Sequence, residues 1–180
     1  MKVRTEFHTR ENVAIRVWDK NGKPVKLFKP FFGKFGVKYH LGRYVNVLRL
    51  ANMITNAGLV ALGSAAFDSS DTSKFTYIAV GSGSTAATAT DTALETELSG
   101  NGMSRAAGSY SSSTTTVAND TKSISYTFTA AGASATIAET GVFSAASAGT
   151  MMNRFVLPSS ITISDGSSIQ ITHSFQIARA

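Results

Sequence analysis

The chain contains no cysteine in its 180 residues. That absence excludes a disulfide frame and a thiolate metal site, so stability must come from packing, with association with other chains expected as a further source. Charge is also scarce, with Asp, Glu, Lys and Arg together making up 16% of the sequence. No run approaches the ~20 apolar residues of a membrane span, so no membrane partner is expected. The opening Met1-Lys2-Val3-Arg4-Thr5-Glu6 lacks the apolar stretch of a signal peptide, and synthesis in the cytoplasm is expected. The three histidines, His8, His40 and His173, lie far apart and lack metal-ligand spacing. No nucleophile elbow or Gly-Lys-Ser/Thr phosphate loop is present, so neither a cofactor nor catalysis is expected.

Small residues fill the space that charge leaves. The chain is 43% hydrophobic and rich in Ser, Thr, Ala and Gly, which suits short strands joined by small-residue turns. The predicted fold is mainly β: an antiparallel β-sandwich with an N-terminal hairpin, an extended basic arm and one short helix. Residues 1–44 form the basic hairpin and arm, residues 45–64 the helix or connector, and residues 65–180 the sandwich body. Charge divides along the same line. Residues 1–50 hold 12 of the 17 Lys and Arg but 3 of the 11 Asp and Glu, a net +9 against −3 for the remainder. A basic front on a slightly acidic body points to an acidic docking partner.

In the front segment, Val13, Ile15 and Val17 alternate with Ala14, Arg16 and Trp18, as a strand with one buried face requires. Asn21-Gly22 then predicts a hairpin turn, and Pro24 suits an edge strand. Between residues 29 and 44, Phe31, Phe32, Phe35, Tyr39 and Tyr44 interleave with Lys29, Lys34, Lys38 and Arg43. Rings between cations can stack on bases and neutralise phosphates. No RNA-binding signature surrounds them, so the reading preferred over nucleic acid is an arm whose aromatics plug pockets on neighbouring subunits. The partner-binding candidates are therefore Lys29, Phe31, Phe32, Lys34, Phe35, Lys38, Tyr39 and Arg43.

Apolar spacing predicts a helix over residues 47–62, with a later start near Thr55 as the alternative, because Asn56 and Gly58 weaken it. The body then reads as strands at 75–80, 103–110, 114–118, 123–129, 135–143, 151–157 and 168–177. Strand 168–177 has no Lys, Pro or other edge guard, so it is either central to its sheet or covered by a partner. His173 alternates there with Ile171 and Phe175 and is read as a satisfied core or interface histidine.

Four short stretches stand in order: Asn52-Met53-Ile54-Thr55-Asn56-Ala57-Gly58-Leu59, Ala79-Val80-Gly81-Ser82-Gly83, Asp91-Thr92-Ala93-Leu94-Glu95-Thr96-Glu97 and Glu139-Thr140-Gly141-Val142-Phe143. Together they resemble a family of bacteriophage virion structural proteins. The resemblance implies a place in a virus particle, with major capsid or tail proteins as partners. Capsid decoration or cement is the first expectation; a tail, neck or fibre component is the alternative.

By chemistry alone, Thr92 and Glu95 have the spacing of a helix capping box. Glu139, an acid on an otherwise apolar strand, is expected to accept from backbone amides of a neighbouring loop or to pair with Arg105 or Arg154. Gly81-Ser82-Gly83-Ser84 reads as a flexible turn. Two rival classes remain: a nucleic-acid-binding protein using the basic-aromatic arm, and a carbohydrate-binding module using Trp18, Tyr77 or Tyr110. Low charge and an unguarded strand favour a homo-oligomer, with a trimer as the first expectation.

Overall fold

A computed structural model describes residues 7–32, 38–45, 48–51, 53–68, 70 and 74–179. The front half contains β1 (Phe7–Trp18), β2 (Pro24–Val25), β3 (Leu27–Phe32), β4 (Lys38–Val45), β5 (Leu48–Ala51), β6 (Met53–Ile54) and helix α1 (Asn56–Phe67). The body adds β7 (Tyr77–Gly81), β8 (Ala106–Ala107), β9 (Ser109–Ser113), β10 (Thr121–Thr129), β11 (Ala135–Phe143), β12 (Met151–Ile163) and β13 (Ser168–Arg179).

Two antiparallel sheets form the sandwich. The larger runs β2-β1-β13-β10-β9, with β5 also paired to β1; the smaller runs β6-β12-β11-β7-β8. Alternation decides which residues meet between them. Val13, Ile15 and Val17 face inward with Ile169, Ile171 and Phe128, against Ile78, Val80, Val142 and Leu157 from the other sheet. Strand β13 lies between β1 and β10, which explains why it needs no edge guard.

The front is not separate from the body. β1 pairs with β13 from Phe7↔Arg179 to Trp18↔Ser168, so residues 7–18 complete the sheet of the 65–180 region. The hairpin turn forms where Asn21-Gly22 places it. Gly22 takes φ +76°, and the Asp19 carboxylate accepts from the amides of Asn21 and Lys23. The stretch expected to be an extended arm pairs instead as a hairpin, β3 with β4. β-forming aromatics on both flanks make that pairing favourable.

Other departures have local causes. Residues 48–51 and 53–54 are strands rather than helix, because they pair with β1 and β12; the helix begins only at Asn56. Thr55 is its N-cap, its hydroxyl accepting from the Gly58 amide at 3.0 Å. The 103–110 strand divides at Gly108, with β8 joining the smaller sheet and β9 the larger. A Cβ at Gly108 would stand 2.5 Å from Ile124 Cγ1, so only glycine passes there. The 114–118 segment is a turn, because the Asp120 carboxylate takes the amides of Thr115, Thr116 and Val117 away from any ladder.

A third layer covers the outer face of the smaller sheet. The 82–105 segment crosses it, and Leu94 packs with Ala79, Phe143 and Met151 in a second apolar cluster. Strand β11 is therefore buried on both faces over most of its length. Phe143 is 1% exposed, as expected for a core residue, yet it belongs to this outer cluster rather than to the space between the sheets.

Candidate functional site

The register of β11 on β12 jumps between Ile137↔Ile161 and Glu139↔Val156. This irregularity changes the phase of the strand, so Ile137 enters the inter-sheet core while Glu139 faces the 82–105 layer. Glu139 is fully buried and accepts four hydrogen bonds. Gly83 N (3.1 Å) and Thr96 N (2.8 Å) donate to Oε1; Glu95 N (3.1 Å) and Arg154 Nε (2.7 Å) donate to Oε2. Of its two expected partners, Arg154 is the one that binds. Arg105 instead pairs with Glu97 at 2.6 Å and places its guanidinium 3.6 Å over the Phe143 ring.

Arg154 extends the clasp from the neighbouring strand. Its Nη1 donates to Asp91 at 2.8 Å, and its Nη2 reaches Glu95 at 3.4 Å. Burial opposes the charge on Asp91, but hydrogen bonds from Thr88 and Arg154 outweigh it and hold the carboxyl at about 2. Burial likewise opposes the Arg154 charge, and Asp91 and Glu139 more than restore it, raising its pKa. Bonds from the Thr85 amide and hydroxyl lower the Glu95 carboxyl. These contacts overturn the capping-box expectation. Thr92 and Glu95 lie in a non-helical loop, and Glu95 is drawn to Thr85 and Arg154.

Close approach explains the glycines. A Cβ at Gly81 or Gly83 would stand 2.5 Å from Glu139 Oε1, and one at Gly58 would overlap the Met152 carbonyl. The 81–84 segment is thus a clamped loop rather than a flexible turn, and the anion it cradles is the chain's own Glu139. Asn56 N donates to Ala89 O at 2.7 Å, joining the helix start to the same layer. Three of the four stretches singled out in the sequence therefore meet around one buried carboxylate and one guanidinium, and the first lies beside them, Met53 pairing with Arg154 across β6 and β12.

Behind the clasp lies a second buried polar set. His173 is fully buried, as its alternation predicted, with Nδ1 3.0 Å from Asn153 Nδ2 and Nε2 3.1 Å from Thr140 Oγ1. Neither partner activates a nucleophile, because Thr140 Oγ1 donates to the Ala79 carbonyl at 2.8 Å. Among the described residues no group of three His, Asp or Glu could hold a metal ion.

The basic-aromatic candidates fall on the β3–β4 hairpin, apart from Lys34 and Phe35, which lie outside the described residues. Its register sets Phe31 opposite Tyr39, Phe32 opposite Lys38 and Lys29 opposite Arg43. Trp18, Tyr77 and Tyr110 lie on β1, β7 and β9, and Tyr77 packs into the outer cluster. A feature with no sequence signal is a groove of about 560 Å³ between α1 and the larger sheet, lined by Leu59, Leu62, Phe75, Tyr110, Ile124 and Phe175. It arises from pieces distant in the chain, so no local pattern marks it. Among the described residues no helix is long and apolar enough to cross a membrane. No family model, curated protein or solved structure matches the chain.

Proposed function

We propose that the chain is a non-enzymatic structural protein of a bacteriophage particle, carried as a decoration or cement component of the capsid. One observation carries the reading. Three of the four stretches that resemble the virion family converge on a single clasp whose polar atoms are engaged in holding a loop layer to a sheet, and the fourth pairs beside it through Met53 and Arg154. A site with that arrangement does architecture: Glu139 accepts from three amides and a guanidinium and has no substrate-facing role.

Docking runs through the basic front. The β3–β4 hairpin carries Lys29, Lys38 and Arg43, its register setting Lys29 across from Arg43, and basic residues gathered in this way call for an acidic partner. An acidic surface of the major capsid protein meets that need.

Protein stoichiometry in purified particles tests the reading. A copy number that scales with the capsid lattice supports decoration. A count matching one ring moves the chain to the neck, baseplate or fibre, and absence from particles overturns the proposal altogether.

A further inference from the structure

Helix α1 has the sequence NAGLVALGSAAF, with no charged residue. Of its residues only Gly58 is buried, pressed against the Met152 backbone. Leu59 is 51% exposed, Val60 71% and Phe67 93%. A helix apolar on all sides belongs in an interior, and a helix of twelve residues is marginal in water without packing on its faces. The groove beside it continues the same surface, with Phe67 and Ile177 on its wall.

We infer that this surface is where a second copy of the chain binds, α1 against α1. Charge selects the occupant. Lys122 is the one charged side chain among the described residues lining the groove, and its Nζ donates to Ser112 Oγ at 2.9 Å. Nothing there attracts the basic residues of the 1–50 segment, and no cluster of cations awaits nucleic acid. An uncharged ridge fits an uncharged groove, and the chain carries both side by side. A symmetric contact requires that arrangement, since the same patch must present the projection and the recess that receives it. Phe67 is the projection, and the recess lies between α1 and the larger sheet. The inference rests on the reading of the chain as a repeated particle component, for which a self-binding surface supplies lateral contacts.

The absence of cysteine makes the test direct. Under mild oxidation the purified Val60→Cys chain should form a disulfide-linked dimer, while Ser134→Cys, exposed on the turn at the other end of β10 from Lys122, should not. The unmodified chain should associate in a concentration series by light scattering. Val60→Lys and Phe67→Ser should each weaken that association by about tenfold or more with unchanged circular dichroism. A chain that stays monomeric at every soluble concentration overturns the inference. So does association without Val60→Cys cross-linking, or a monomer whose α1 surface takes up a fatty acid or a capsid protein instead. None of these assays uses particles, so their outcome is separate from whether the chain is found in virions.

Discussion

The Nδ1 of His173 lies 3.0 Å from the Asn153 carboxamide nitrogen, and this contact fixes the state of the ring. Asn153 Oδ1 accepts from the Val142 amide at 2.9 Å, which turns its NH₂ toward the imidazole. Nδ1 must then accept, so the proton resides on Nε2 and is donated to Thr140 Oγ1. Each position is set by a backbone group, Val142 N at one end and Ala79 O at the other.

The first prediction is acid sensitivity with a defined sign. A second proton on His173 would point an N–H at an N–H, and burial holds its folded pKa at about 3, below the ordinary 6.5. Between those values the unfolded chain takes up the proton that the folded chain refuses. Stability is complete above pH 6.5 and should fall by about 1.4 kcal/mol per pH unit as pH drops toward 3. Denaturant titrations at a series of pH values measure it, and His173→Gln should flatten the slope above pH 4.5. An unchanged slope in that variant would assign the acid sensitivity to other groups.

The clasp gives the second prediction. Every atom facing Glu139 is a donor, so in Glu139→Gln the amide nitrogen meets a donor whichever way it turns. Loss of one partner from a buried ion pair should cost about 3–5 kcal/mol. Asp91→Asn removes a more peripheral contact of Arg154 and should cost less. Hydrogen exchange should show residues 82–97 opening first in Glu139→Gln. A loss below about 1 kcal/mol would mean that the clasp does not hold the layer.

How much of this was legible beforehand depended on whether the partner was close in pattern or only close in space. Strand 135–143 was readable to its ends, and β13 to within two residues, because their apolar residues have one dominant use. Apolar spacing extends the helix face back through 48–51 and 53–54, but pairing with β1 and β12 makes those residues strands, so the later start near Thr55 is the one that holds. Glu139 and Arg154 could be matched as opposite charges on a charge-poor body. That three loop amides would join them could not be read, since backbone donors leave no trace in side-chain sequence. The two-sided burial of β11 was hidden for the same reason: the covering layer is built of Ala, Thr and Gly, which look like any polar loop.

The third prediction concerns that layer. Phe143→Ala should destabilise the fold by about 3–5 kcal/mol. Because its ring packs with Leu94 and Met151 and lies under Arg105, the change should also expose the 82–105 segment to proteolysis. A change below about 1 kcal/mol, or a layer as resistant as before, would contradict its place in the outer cluster.

The last prediction separates docking from folding. Removing residues 1–44 would strip β1 from β13 and leave the unguarded strand 168–177 open, so that truncation should aggregate and say little about the particle. The informative variant replaces residues 29–43 with a short Gly/Ser linker. It spares β1, the Asn21-Gly22 turn and the buried Leu27, and it removes the β3–β4 hairpin with its paired cations. Its melting transition should stay near that of the full chain, since β3 and β4 pair as a two-stranded sheet outside the ladders of both sandwich sheets. Incorporation into particles should be lost, and raising the salt concentration should weaken incorporation of the full chain by screening the same cations. A linker variant that joins particles as well as the full chain would remove the hairpin from docking. It would also turn attention to the uncharged surface of α1, where salt would have little effect.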